Sequence, residues 1–351
     1  MLTQAPVTID FKAIFIGSSK MSQVLLPLIS MLATISASLL LVRKAVDWRF
    51  IDIPNSRKIH TLPTPRTGGL AMVLGGGVVV FSQVFGWAPR LGLPWQTWIA
   101  GLGFITVGAL DDRFSFQPRQ KFLVFLSMSA LAAWPWILVL RATGIPWLPH
   151  AWITSPLFLA GAFVLITFWF MAVSNALNIE DAINGYMGGF TFIVMFGLYL
   201  RGVDTRIALG ALAGFLVFNW PRAKHFMGDA GSFGCGFIIA EGVLRGGGLE
   251  SPFMALAFTA PISLDVAMGL VRRKRLGMSF FTADSATCPH HLLALTRGNA
   301  LQATSILWLN AAGFVFLADR PWLTLGQAIL YIIALILLNR HLLLARTTQP
   351  S

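Results

Sequence analysis

Ser155-Pro-Leu-Phe-Leu-Ala-Gly-Ala-Phe-Val-Leu-Ile-Thr-Phe-Trp-Phe-Met-Ala-Val173 runs nineteen residues without a charged side chain. Directly behind it stands Asn175-Ala-Leu-Asn178-Ile-Glu-Asp181-Ala-Ile-Asn184-Gly185. A helix rises about 1.5 Å per residue, so roughly 20 apolar residues cross the hydrocarbon core of a bilayer. The first stretch therefore reads as a membrane span and the second as a polar segment at its boundary. The same succession recurs along the chain. Eleven apolar stretches are expected to be helical spans, at 22–42, 68–86, 95–110, 121–140, 155–173, 185–200, 204–218, 232–247, 252–271, 300–318 and 321–339. The two near 204–218 and 232–247 are the weakest, which makes the expected count ten to eleven.

Composition agrees. Of 351 residues 56% are apolar and 11% charged, with mean hydropathy +0.72. A water-facing surface takes about 25% charged residues, so a soluble domain is excluded. Ample apolar surface and the lack of a biased repeat exclude a disordered chain. The 26 Lys and Arg exceed the 14 Asp and Glu, a net charge of +12. In a soluble protein that excess would suggest nucleic acid; here it suggests cytoplasmic loops and membrane lipids, and no nucleic acid. Loops after odd-numbered spans, with the C-terminal tail, hold 18 Lys and Arg against 8 on the other side. The N-terminus is thus expected outside and the C-terminus in the cytoplasm. Residues 1–20 show no leader pattern, and Val24–Leu41 is expected to stay as a span. Cys235 and Cys288 form no disulfide framework, and Cys235 reads as a packing residue. The expectation is an all-α polytopic membrane protein, one transmembrane domain over 1–351. Its polar loops lie near 43–67, 110–120, 174–185, 219–231 and 272–299 and line a cytoplasmic-face cleft.

Acids and amides concentrate on the basic side, which suits a phosphate-bearing substrate and a metal. In the first loop, Asp52-Ile-Pro-Asn-Ser-Arg57-Lys58-Ile-His60 is followed by Pro63-Thr-Pro-Arg66-Thr-Gly-Gly69. Arg57, Lys58, His60 and Arg66 suit phosphates, with lipid headgroups as the alternative for Arg57 and Lys58. In the second, Asp111-Asp112 ends a span and Lys121 follows. Adjacent acids there are costly unless paired or metal-bound. Their repulsion lets one hold a proton and serve as a base; an ion pair with Arg113 or Lys121 is the alternative. Ser115 stands where an Asp-Asp-x-x-Asp prenyltransferase site needs a third acid, which argues against that chemistry.

In the third loop Asn175, Asn178, Asp181 and Asn184 recur every three residues, an expected stripe along one helical turn. Such a stripe suits a sugar, a base or a hydrated metal. The fourth runs Asn219-Trp-Pro-Arg-Ala-Lys-His-Phe226-Met-Gly-Asp229-Ala-Gly-Ser232. Mg²⁺ favours one or two carboxylates plus substrate phosphates, and a helix N-terminus favours the phosphates. The fifth holds Asp284 and His290-His291. Adjacent histidines lack the i,i+4 spacing of a helical zinc pair, so hydrogen bonds to a diphosphate or sugar are expected.

Together these five segments resemble the polyprenyl-phosphate N-acetylhexosamine-1-phosphate transferases, of the glycosyltransferase family 4 type. The peptidoglycan phospho-N-acetylmuramoyl-pentapeptide transferase is a more distant relative. The resemblance spans roughly residues 47–298, in the family's motif order. It implies transfer of a HexNAc-1-phosphate from a UDP-N-acetylhexosamine to undecaprenyl phosphate, releasing UMP, to initiate a cell-envelope polysaccharide such as O-antigen. It implies a bacterial inner membrane and Mg²⁺, or Mn²⁺ in its place, held by Asp229 with Asp181. It casts Asp111, Asp112 and Asp229 as catalytic and Lys121 as a phosphate contact. Asn175, Asn178 and Asp181 fall to the nucleotide and metal, with Asn184 beside them on the substrate side. Asn219 and Phe226 fall to the uridine, His290 and His291 to the sugar, and Lys58 and His60 to the first basic loop. Ala182 replaces a usual Gly, Cys288 replaces the first His of a His-x-His-His motif, and the Asp284-to-His290 stretch is one residue longer than usual. Monomer and homodimer are both left open. The rival reading is a transporter or flippase for polyprenyl-linked saccharides, whose acids would sit at mid-membrane as Glu241 and Asp265 do. Asp265 has a further expected use, as structural partner of a loop residue.

Overall fold

The structure is a computed structural model that describes residues 20–54, 61–84, 91–279 and 287–347. Its helices are α1 (Lys20–Lys44), α2 (Gly68–Val84), α3 (Trp95–Phe114), α4 (Pro118–Thr143), α5 (His150–Ile153), α6 (Pro156–Glu180), α7 (Tyr186–Leu200), α8 (Arg206–Asn219), α9 (Gly228–Val243), α10 (Pro252–Arg275), α11 (Cys288–Leu295), α12 (Ala300–Phe316) and α13 (Pro321–Thr347). A π-helical turn, Leu244–Gly248, extends α9. Each of the eleven apolar stretches contains a helix among the described residues. The all-α expectation needs one small correction. Ile51–Asp52 (β1) pairs antiparallel with Thr64–Pro65 (β2), because the proline-rich strap before α2 is held extended.

The helix starts follow local chemistry. Proline opens α4, α6 and α10 and is the second residue of α11, where a missing amide costs nothing. Ser155 and Ser251 accept amides of the first turn of α6 and α10. Five helical segments among the described residues are long and apolar enough to cross a membrane: Val24–Lys44, Arg119–Thr143, Pro156–Glu180, Pro252–Arg275 and Pro321–Leu338. On α6, Leu157, Val164, Leu165 and Phe168 are exposed while Ile166, Phe170, Val173 and Leu177 are buried. A wholly apolar helix with one bare apolar face belongs in lipid. The chain is a multi-pass membrane protein.

Helix α9 stands at the centre, nearly all of it buried. Its glycines let three neighbours approach on different faces, the packing mode of helices in lipid. Gly231 meets Gly69 of α2, Gly234 meets Ile105 of α3, and Gly236 meets Ser174 of α6. Rings then lock the same helices together. Phe104 stacks on Phe125 at 4.9 Å and lies 5.3 Å from Phe237, while Phe170 and Phe237 stack at 5.3 Å and Phe125 lies 4.3 Å from Phe233. This dry layer joins α3, α4, α6 and α9 within about three turns of Asp111, Lys121, Asp181 and Asp229.

A β-carbon on Gly236 would lie 2.4 Å from the Ser174 Cα, whereas one on Gly161 would meet nothing within 4 Å. Gly236→Ala should therefore destabilise the protein by about 1–3 kcal/mol, and Gly161→Ala should not. Thermal unfolding in detergent checks this, and equal effects of the two would contradict the central packing of α9.

Candidate active site

The acids of the second loop lie on the last turn of α3. Ser115, in the left-handed region at φ 53°, ends that helix, and the chain turns at once into α4. Asp111 accepts from the Phe116 amide and from Lys121 Nζ, each at 2.6 Å. Asp112 points to α9 instead. Its two carboxylate oxygens accept the amides of Asp229 at 3.0 Å and Ala230 at 3.1 Å. Met227, the residue before α9, has no side-chain oxygen for these orphan donors, so Asp112 caps the helix from another element. Gly228, at φ 70°, makes room, since a β-carbon there would lie 2.6 Å from Asp112 Oδ2.

Asp229 then faces Asp111, with which it shares a side-chain hydrogen bond. Asn178 donates to Asp229 at 3.1 Å and to Ser232 at 2.8 Å. Lys121 lies 3.7 Å from Asp229, and Arg66 pairs with Asp52 and lies 3.8 Å from Asp112. Asp181 ends α6 and makes no hydrogen bond or ion pair among the described residues. Asp111, Asp112, Lys121, Asn178 and Asp229 are thus brought into contact by the ends of α3, α4, α6 and α9.

Charge is unbalanced here. Burial first, then the Asp111 hydrogen bond and the charge of Asp112, pushes Asp229 well above the usual carboxylate range. Burial likewise pushes Asp112 to about 6 and, with the charge of Asp112, Asp181 to about 7. Asp111 stays low despite burial, held by Asp229 and Lys121. Among the described residues Asp52, Asp111, Asp112, Asp181 and Asp229 share Arg66 and Lys121. That surplus of hard oxygen donors fits Mg²⁺. Among the described residues no three Asp, Glu, His or Cys side chains come together as a group that could hold a metal ion.

The other expected residues fall in separate places. Asn175 donates to Met171 of its own helix at 2.7 Å. Asn184 corrects the one-stripe expectation: α6 ends at Glu180, and Asn184 lies in the turn to Gly185, which takes φ 80° to start α7. Asn219 is buried, accepting from the Gly185 amide at 2.7 Å and donating to the His225 carbonyl at 2.9 Å, so it ties two loops together. Phe226 is half-buried, its backbone joined to Pro65 and Gly68. His290 and His291 ride on α11, packed against α12 and α13 rather than on the helices that carry the acids. Lys58, His60 and Asp284 lie outside the described residues. Arg66, expected to suit phosphates, joins the cluster through Asp52 and Asp112, and Ser232 joins it without having been singled out as a site residue. Ser232, three residues after Asp229 on a helix, carried a signal in its spacing.

The sequence model of glycosyl transferase family 4 matches residues 95–247, the segment that carries all of these acids except Asp52. The undecaprenyl-phosphate alpha-N-acetylglucosaminyl 1-phosphate transferase of Yersinia pestis is 31% identical over 301 residues, 79% of this chain and 78% of that protein. The chain belongs to this transferase family. Decaprenyl-phosphate N-acetylglucosaminephosphotransferase of Mycobacterium tuberculosis is 28% identical over 308 residues, 75% of this chain and 74% of that protein. A more distant branch is represented by the phospho-N-acetylmuramoyl-pentapeptide-transferase of a Synechococcus, 33% identical over 231 residues, 59% of this chain and 62% of that protein. Family membership makes this a membrane-embedded enzyme. Glu241, offered by the transporter reading as a mid-membrane acid, is taken up by Trp136 at 2.9 Å and Arg245 at 3.0 Å.

His225 supplies a pH test of the scaffold. It is buried between Phe215 and Phe218, its Nδ1 lies 3.3 Å from the Thr67 hydroxyl, and its Nε2 has no partner. Burial pushes it down to about 4. The unfolded chain takes the proton near pH 6.5 and the folded one only near 4, so stability is lost as pH falls across that window. The loss reaches roughly 3 kcal/mol at its lower end. Asp112 and Asp181, with raised values, contribute with the opposite sign. Comparing unfolding of the unaltered protein with His225→Phe between pH 7 and 4.5 isolates the histidine: the variant should lose less stability on acidification, and parallel curves would contradict the assignment.

Proposed function

We propose that this enzyme transfers a HexNAc-1-phosphate from a UDP-sugar to undecaprenyl phosphate, releasing UMP, at the cytoplasmic face of a bacterial inner membrane. The product would begin a cell-envelope polysaccharide. The relatives' names, which pair a polyprenyl phosphate with a sugar-phosphate transfer, support the reaction class. The observation that carries the reading is the set of four carboxylates with Lys121 gathered at the ends of α3, α4, α6 and α9.

In the proposed step a lipid phosphate oxygen attacks the β-phosphorus of the UDP-sugar, and the bond to the bridging oxygen of UMP breaks. Lys121, tethered by Asp111 and Asp229, is placed to meet phosphate oxygens. Asp111, bonded to Lys121 and the Phe116 amide, or Asp112, with both oxygens on amides of α9, would accept a proton from the lipid phosphate. Asn178 holds the Asp229 carboxylate in place. Asp229, with Asp181, would hold Mg²⁺ or Mn²⁺, which when bound neutralises the diphosphate and the leaving UMP.

Membranes containing the protein, given undecaprenyl phosphate, Mg²⁺ and a panel of UDP-HexNAc donors, should release UMP with one of them. Folded protein that releases no UMP with any donor would sink the reading. Asp229→Asn should lower turnover by on the order of 100-fold or more with the thermal transition kept. Near-normal turnover of that variant would remove Asp229 from the reaction.

A further inference from the structure

Asp265 has no role in the proposed step, yet it is 2% exposed in the middle of α10, a helix apolar enough to cross the membrane. A carboxylate there is costly unless its oxygens are matched. Its Oδ2 accepts the Cys288 amide at 2.6 Å, and Cys288 opens α11.

The first amides of a helix need outside acceptors, and the residue before it supplies one in the ordinary case. That residue is Thr287, whose hydroxyl caps no backbone amide of α11. It bonds Nδ1 of His290 at 2.8 Å instead. Pro289 has no amide to satisfy. Asp265 therefore takes over the capping of α11, which releases Thr287 to orient the His290 ring. The Cys288 side chain is packed in the core, so this position contributes an amide to the tie and no side chain to the cleft. The field of Asp265 also reaches Glu180, the fully buried last residue of α6 and the neighbour of Asp181.

We propose that Asp265 and Thr287 are positioning residues for donor recognition: Asp265 fixes the start of α11, and Thr287 sets the ring of His290 toward the sugar-phosphate donor. This rests on the transferase reading above. Asp265→Ala should raise the donor KM about tenfold or more, with kcat and the KM for undecaprenyl phosphate within about threefold. Asp265→Asn, which keeps an acceptor oxygen, should restore most of the loss. Thr287→Ala should raise the donor KM about threefold, and Thr287→Ser should restore it. A purely structural residue would depress both substrates and kcat together, and that pattern, or a donor KM within twofold of normal in Asp265→Ala, would overturn the proposal.

A second arm does not depend on turnover. In detergent, maleimide labelling of the buried Cys288 should speed up at least about tenfold in Asp265→Ala, with the buried Cys235 labelled no faster. Unchanged Cys288 labelling would overturn the tie. Faster labelling of both cysteines would mean a failed fold, and the Thr287 pair then decides. Lack of turnover in the unaltered protein would bring down the transferase reading alone, and the labelling arm would still judge the tie.

Discussion

The carboxylate of Asp112 receives the first two amides of α9, and most of the site is arranged around that contact. It joins the end of one helix to the start of another across 117 residues of sequence, and it sets where Asp229 emerges. The same contact needs Gly228 to be bare, and Gly108 too, since a β-carbon there would lie 2.5 Å from the Asp229 carbonyl. Beneath it, the phenylalanines of α3, α4, α6 and α9 form a dry layer. The acids therefore sit on rigid helix ends and not on free loops, which is what holding charged groups at fixed distances requires.

A protein cannot keep four carboxylates together without a cost, and here burial holds three of them above the usual carboxylate range. Asp112, Asp181 and Asp229 are all pushed upward, chiefly by burial, while among the described residues Lys121 and Arg66 stand near with opposite charge. Such a cluster is poised for positive charge from elsewhere. A divalent cation and the chemistry of a diphosphate substrate would meet that need together, since the cation matches acids on one side and phosphates on the other. Asn178 and Ser232 add neutral donors that align Asp229 without cancelling its charge.

The histidine helix follows a similar economy of contacts. An acid inside a membrane helix, open on sequence grounds to a transport role, instead satisfies the backbone of a neighbouring short helix. Glu241 behaves in the same way toward Trp136 and Arg245. Glu241 and Asp265, the two acids on which the transporter reading drew, are matched by named partners, whereas Glu180 at the end of α6 is fully buried with neither carboxylate oxygen hydrogen-bonded among the described residues.

Periodicity and composition were enough to place every long helix, because an apolar run of this length has one stable form in lipid. The polar segments, too, were legible from residue type: Asp111, Asp112, Lys121, Asn178 and Asp229 were selected from sequence and meet in space. What sequence could not show was direction. Asn175 and Asn178 share a spacing, yet one bonds its own helix and the other reaches Asp229, and Asn184 leaves the stripe because α6 stops at Glu180. Asp111 and Asp112 are adjacent and chemically alike, but one pairs with Lys121 and the other caps α9. Residue type and spacing determine which groups stand at the membrane boundary. Which group each one faces is decided by how closely the helices pack, and that depends on glycines and rings whose partners lie far away in the chain.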